Sequence, residues 1–349
     1  MISSGERRLE VLVVDDSAVA REVISAVLSA AGMNVRVAPD PLFALQKLEK
    51  SEPDVMVLDL EMPRMDGLTF LRRLNRERTI PVVICSGTTD GHGTKAITAL
   101  QHGAVEVVTK PKTAVREFLY ESSVMLVDAV TAAAKTRAKL RTPPRISSAP
   151  SAQRLPRETA QRSLIAIGAS TGGPEALRVI LSALPKDAPP VLVAQHMPAG
   201  FTRAFAEMLN RECVIEVREA VAGDLLRPGL ALIAPGGRHL TLRRAAGHLL
   251  ADLGSGPLVC RHRPSVDVLF ESVAEEVGSH AVAALLTGMG DDGARGLSSL
   301  KRVGAITFAQ DEASSVVFGM PKAAIDLGAA SEIASLDGMA EAMLRRLLR

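Results

Sequence analysis

The sequence predicts an α/β protein built from two doubly wound domains, and three observations carry that expectation. Short Val-, Ile- and Leu-rich runs alternate with amphipathic helical segments along most of the chain. Such runs suit strands covered on both faces of a parallel sheet. One poor stretch, Lys135 to Arg162, interrupts the alternation with four prolines, many basic residues and no sustained apolar period. It cannot bury enough surface to offset its ordering entropy, which marks it as a linker. The chain has 349 residues, a length that suits two domains.

Composition narrows the functional classes. Hydrophobic residues make up 47% and charged residues 23%, enough apolar material for two cores. A formal net charge of +2 is too small for a nucleic-acid binder, and the basic linker lacks any aromatic or motif that would make it a binding arm. The three cysteines, Cys85, Cys213 and Cys260, are scattered without metal-ligand spacing. They read as reduced thiols in a cytoplasmic protein. No apolar run reaches bilayer length, and the start MISSGERRLE lacks the hydrophobic stretch of a signal peptide. The expectation is a monomer without membrane insertion.

In the first domain the expected strands are Glu10–Val14, Val35–Ala38, Val55–Leu58, Val82–Cys85 and Val105–Thr109. Val19, Val23, Val27 and Ala31 recur at helical spacing, and Gly32 stands where a helix C-cap wants positive φ. Ligand sites in such sheets lie at the carboxyl ends of the strands. Asp15 and Asp16 end the first strand, Asp59 the third, Ser86 the fourth and Lys110 the fifth. Three clustered carboxylates repel one another without a cation, and an all-oxygen site suits Mg²⁺. Asp59, alone on the middle strand, is the natural nucleophile toward phosphorus. Lys110 would neutralise the phosphoryl group and Ser86 would hydrogen-bond to it. Taken singly, Asp16 or Ser17 would do no more than cap a helix.

In the second domain the expected strands are Leu164–Ile167, Val191–Ala194, Leu230–Ala234, Ala281–Leu286 and Ala305–Phe308. LIAIGASTGGPEAL runs from strand through a glycine turn into a helix. Such a turn either cradles a phosphate or presents Ser170 as a nucleophile beside backbone donors. A serine nucleophile needs a base, and His196 ends the next strand at the same sheet edge. His92 and His102 belong to the first domain, while His239, His248, His262 and His280 read as lying on loops or helices. The orienting carboxylate would come from TGMGDDGARGL, where either Asp291 or Asp292 could accept from the imidazole.

These motifs carry two resemblances. The Asp15–Asp16 pair, Asp59, MPRMDG, Ser86 and Lys110–Pro111 make residues 8–120 similar to a response-regulator receiver domain. The resemblance implies a flavodoxin-like (βα)5 fold, phosphorylation of Asp59 by a histidine kinase, Mg²⁺ held by Asp15, Asp16 and Asp59, and a cis Lys110–Pro111 peptide. Val107 departs from the pattern, because receivers often carry an aromatic switch residue there. Residues 163–347 resemble the catalytic domain of the CheB family of chemotaxis methylesterases. The matching runs are IGASTGGPEAL, VAQHMPAGFTRAFAEMLN, HRPSVDVLFES, LLTGMGDDGARGL and AQDEASSVVFGMPKAA.

This second resemblance implies a mostly parallel, Rossmann-like α/β hydrolase domain with a Ser170–His196–Asp292 triad. It places an oxyanion donor at the Met289 amide, with Thr171 adjoining the nucleophile, and needs no cofactor for the esterase. The reaction implied is hydrolysis of glutamate γ-methyl esters on chemoreceptors, with glutamine deamidation in some members. An unphosphorylated receiver covers the catalytic face in that family. The expected boundaries are 8–126 for the receiver, 127–162 for the linker and 163–349 for the catalytic domain. Three other classes compete. A DNA-binding output would need a helix-turn-helix and a basic face, and a nucleotide module would need a lysine or acid partner for GASTGG. The third is a family member acting on a non-receptor protein.

Overall fold

The computed structural model describes residues 7–87, 92–110, 116–136 and 156–348. The chain forms two compact units, residues 1–142 and 143–349. In the first, β1 (Glu10–Val14), β2 (Asn34–Ala38), β3 (Val55–Leu58), β4 (Val82–Ser86) and β5 (Glu106–Thr109) alternate with five helices. These are α1 (Ala18–Ala30), α2 (Pro41–Lys50), α3 (Gly67–Glu77), α4 (His92–Gln101) and α5 (Arg116–Ala134). All pairings are parallel and the strand order is β2-β1-β3-β4-β5. The order reverses between β1 and β3, so Asp15, Asp16 and Asp59 meet at the sheet's switch point.

Side-chain alternation divides this core into two faces. Val11, Val13, Val55, Val57, Val83 and Cys85 pack with Ile24 and Leu28 of α1 and with Leu126, Ala129, Val130 and Ala133 of α5. Phe70, Leu71 and Leu74 of α3 are buried too. The expected α1 stripe is rotated from the observed one. Ile24 and Leu28 are the residues buried, whereas Val19 is exposed, because the larger side chains one position on gain more by burial. Gly32 does take the left-handed conformation, φ +85°, just past the helix.

Helix α5 runs past residue 127, where the linker is expected to begin. Residues 127–134 continue that helix, and Ala129, Val130 and Ala133 complete the core of the first unit. Their sequence, VDAVTAAA, is helix-forming and apolar, and the poor composition begins only after it. The other end of the expected linker carries a short helix, α6 (Arg157–Arg162).

The second unit is built on β6 (Leu164–Ala169), β7 (Val191–Gln195), β8 (Glu216–Glu219), β9 (Leu230–Ile233), β12 (Ala281–Leu285), β13 (Ile306–Gln310) and β14 (Glu332–Ala334). They form one parallel sheet in the order β14-β13-β12-β6-β7-β9-β8. Between β9 and β12 comes an antiparallel hairpin, β10 (His239–Ala245) with β11 (His248–Gly254). The helices are α7 (Gly173–Ala183), α8 (Thr202–Glu212), α9 (Val266–Glu276), α10 (Ala294–Arg302), α11 (Met320–Asp326) and α12 (Leu336–Leu347). His239 and His248 therefore lie on strands, not on loops or helices. Strands β8 and β14 escape the hydrophobic reading because both are short edge strands with exposed or half-buried polar residues.

Here the order reverses at β6, flanked by β7 and β12, so Ser170, His196 and the loop after β12 share one edge. Helix α9 reaches that edge because β6 carries Gly168. A Cβ there would lie 2.1 Å from Val266 Cγ1 and 3.1 Å from Leu285 Cδ1. Gly168→Ala is expected to destabilise this unit by about 1–3 kcal/mol in urea unfolding, through overpacking against a stiff valine. The double variant Gly168→Ala/Val266→Ala should lose less than the sum of the two singles.

Candidate active site and acidic cluster

At the edge of the first sheet, Asp15 and Asp59 are buried and Asp16 is exposed. Lys110 Nζ lies 2.7 Å from Asp15 Oδ2 and 2.8 Å from Asp59 Oδ2. Oxygen atoms of Asp15, Asp16 and Asp59 lie within 4.8 Å of one another. Burial raises the Asp59 pKa above the usual carboxylate value, with Lys110 pulling it down and the Asp15 charge adding to the rise. Burial also opposes the charge on Lys110, but hydrogen bonds to the two carboxylates outweigh it and raise its pKa. An all-carboxylate set with one exposed member fits a hard cation that keeps several waters, as Mg²⁺ does. Ser86 is buried at the end of β4, and its carbonyl accepts the Lys110 amide at 2.9 Å. Val107 is buried within β5. Residue 111, and with it the expected cis peptide, lies outside the described residues.

At the edge of the second sheet the same rule assembles a different chemistry. Ser170 follows β6, His196 follows β7, and Asp292 lies in the loop after β12; all three are buried. The Ser170 amide donates to Thr287 O at 3.0 Å, and its carbonyl accepts from Gly173 N at 2.7 Å and Gln195 Nε2 at 2.9 Å. The same Gln195 amide donates to His196 O at 3.1 Å, which ties the serine and histidine turns together. The loop after β12 crosses so closely that a Cβ on Gly288 would lie 2.7 Å from Ser170 Cβ. Thr287 Oγ1 donates to Thr171 O at 2.9 Å and accepts the Val317 amide at 2.9 Å. Among the described residues, the amide of Met289 donates to no protein acceptor.

His196 Nε2 lies 2.7 Å from Asp292 Oδ2. Since a carboxylate only accepts, the network assigns the ring proton to Nε2. Nδ1 is then the acceptor nitrogen. It is buried and has no partner among the described residues. Asp292 also accepts from Val266 N at 2.7 Å, Asp267 N at 3.1 Å and Ser265 Oγ at 2.8 Å. Those amides open α9, so the carboxylate sits at the positive end of that helix. Burial works against ionisation of Asp292, yet His196 and the two amides outweigh it and hold the pKa below the usual range. Asp291, its neighbour, is exposed.

Three contributors were not anticipated from sequence. Gln195 immediately precedes His196, and Ser265 lies within the HRPSVD run, but neither position signals its contact. His262 stacks on His196 with ring centroids 3.7 Å apart and planes 12° apart. Nothing in one dimension brings together rings 66 positions apart.

Family models match both halves of the chain: "CheB methylesterase" over residues 165–343 and "Response regulator receiver domain" over residues 11–118. The chain belongs to the CheB methylesterase family. A similar relative, "Protein-glutamate methylesterase/protein-glutamine glutaminase 1" of Anaeromyxobacter dehalogenans, is 51% identical over 342 residues, covering 96% of this chain and 98% of its own. "Protein-glutamate methylesterase/protein-glutamine glutaminase 3" of Geobacter metallireducens is 46% identical, covering 97% of this chain and 99% of its own. The solved CheB methylesterase catalytic domain of Thermotoga maritima is 37% identical, with a TM-score of 0.52. It covers 53% of this chain and 98% of that domain. Among the described residues of this CheB-family chain, no helix is long and apolar enough to cross a membrane.

The depressed pKa of Asp292 has a testable sign. Its contribution to stability is complete above the unfolded value of about 3.9 and is lost as pH falls through the lower folded value. Asp292→Asn should cost on the order of 2 kcal/mol near neutral pH in urea unfolding. The gap to wild type should narrow as pH drops below about 4.

Proposed function

We propose that the chain hydrolyses glutamate γ-methyl esters of chemoreceptors, and deamidates receptor glutamines, under the control of phosphorylation at Asp59. The observation that carries the hydrolase reading is the buried His196–Asp292 pair beside Ser170, with His196 Nδ1 left unpartnered. Ser170 Oγ attacks the ester carbonyl carbon while His196 Nδ1 takes its proton. Asp292 stays ionised and stabilises the imidazolium that results. The Met289 amide, with Thr171 adjoining, faces the oxyanion. Collapse of the tetrahedral intermediate breaks the C–O bond, and His196 returns the proton so that methanol leaves. Water then attacks the acyl-enzyme by the same route, giving glutamate and free Ser170. With an amide, the leaving nitrogen must be protonated before it departs, so deamidation leans harder on His196.

In the receiver, residues 8 to about 136, Asp15, Asp16 and Asp59 would hold Mg²⁺, which supplies charge neutralisation at the phosphoryl oxygens. The Asp59 carboxylate attacks phosphorus of a phosphohistidine on the partner kinase, and the P–N bond breaks to leave the kinase histidine. Lys110 moves from its two carboxylates toward the incoming phosphoryl group, and the Ser86 hydroxyl donates to it. Phosphorylation adds roughly two negative charges where Lys110 had balanced buried acids. The segment from about 137 leads to the catalytic domain, which begins near 163. The setting is the cytoplasm, and the working form is a monomer.

Methanol release from methylated chemoreceptor membranes tests both halves. Ser170→Ala should lower release by at least about 10³-fold. A small phosphodonor with Mg²⁺ should raise release by the intact chain and leave Asp59→Asn unstimulated. Folded protein that releases no methanol under any of these conditions would point to a different ester or to a binding role.

A further inference from the structure

His262 lies outside the proposed triad, yet its ring lies flat against the ring of His196. A single hydrogen bond to Asp292 fixes one point of the His196 ring and leaves its plane free to turn. Catalysis needs more than that point, because the acceptor nitrogen on the other edge must aim at the serine hydroxyl. We infer that His262 is a positioning residue whose ring face holds the His196 imidazole in the plane that serves both Asp292 and Ser170. This inference rests on the proposed hydrolase reading.

The way His262 is held supports the role. Val259 and His262 exchange backbone hydrogen bonds, 3.2 Å and 2.9 Å, around a two-residue turn. Its central residues, Cys260 and Arg261, have φ of 49° and 69°. L residues seldom adopt that conformation, and surroundings must enforce it. The enforcement comes from both flanks. His239 on β10 accepts the Ser265 amide at Nδ1, 3.2 Å, which leaves Nε2 to donate to Pro257 O at 2.9 Å. Arg263 Nη1 donates to Gly256 O at 2.8 Å, and Arg295 Nη2 donates to Cys260 Sγ at 3.3 Å. The loop that presents His262 is also the loop that delivers Ser265 to Asp292, so both partners of the triad are set by one clamped segment.

Among the described residues no hydrogen bond reaches the His262 ring, so the stack is its one specific ring contact. Burial first, and then the charge of a protonated His196, push its pKa far down. Asp292 bonds the His196 ring and not the His262 ring, so a proton taken from the serine is stabilised on His196. A neutral aromatic face against an imidazolium is itself favourable.

The test reads the nucleophile directly with an alkyl fluorophosphonate on the full-length protein. Ser170 Oγ bonds to phosphorus, fluoride leaves and the proton passes to His196, so no receptor substrate is needed. His262→Ala should lower the maximal labelling rate about 10- to 100-fold with little change in the half-saturating concentration, as loss of alignment does. His262→Phe, which keeps a flat face and cannot carry a proton, should recover most of that rate. Melting temperatures of both variants guard against a collapsed loop. If His262→Phe is as slow as His262→Ala while both stay folded, the ring acts through its nitrogens and the inference falls. It falls equally if His262→Ala labels at the wild-type rate, or if wild-type Ser170 does not label at all. Labelling of wild type without methanol release would instead overturn only the receptor-ester reading.

Discussion

The second unit depends on keeping one buried carboxylate ionised. Asp292 has almost no contact with water, and an isolated charge there would be far too costly. Four donors offset that cost: His196 Nε2, the Ser265 hydroxyl and the amides of Val266 and Asp267. Because two of the four open α9, that helix must begin beside the loop after β12. Gly168 lets Val266 approach β6, and His239 Nδ1 accepts the Ser265 amide at the entry to α9. Helix placement, glycine placement and the loop that carries His262 all follow from the needs of one anion.

The first unit meets a related problem with a different answer. Asp15 and Asp59 are also buried at a switch point, but a lysine rather than a helix terminus balances them. One ammonium against two carboxylates, with Asp16 close by, leaves net negative charge at the edge. Burial already holds the Asp59 pKa high, so extra cationic charge favours its ionised form. A lysine on a long side chain can swing to a new anion, whereas amides fixed in a helix cannot. A movable counter-charge suits a site that must admit a new anion, and a fixed one suits a carboxylate that must stay in one place.

Much of this was legible in one dimension, for a definable reason. Parallel strands covered on both faces must be apolar along their length, so Glu10–Val14, Val55–Leu58 and Val191–Gln195 stand out as hydrophobic runs. A chain leaving such a strand reaches the sheet edge within a residue or two. Asp15, Asp59, Lys110, Ser170 and His196 could therefore be placed without a structure. The same logic fails at edge strands: β8 and β14 pair on one side only and tolerate polar residues, so no hydrophobic run announces them. It also falls short at the end of α5, where helical propensity is plain in VDAVTAAA but only packing shows that Ala129, Val130 and Ala133 belong to the core.

The sequence by itself determined the class of both domains, the strand ends that carry reactive groups, and the residue types gathered there. These depend on local hydrophobic period and on the short path from strand to edge. The tertiary structure separates Asp291 from Asp292 by burial and four converging donors, a distinction that the sequence carried only through the family resemblance. It alone brought His262 onto His196 and Ser265 onto Asp292. Those contacts join segments far apart along the chain, and their geometry exists only after the sheet, the hairpin and α9 have packed.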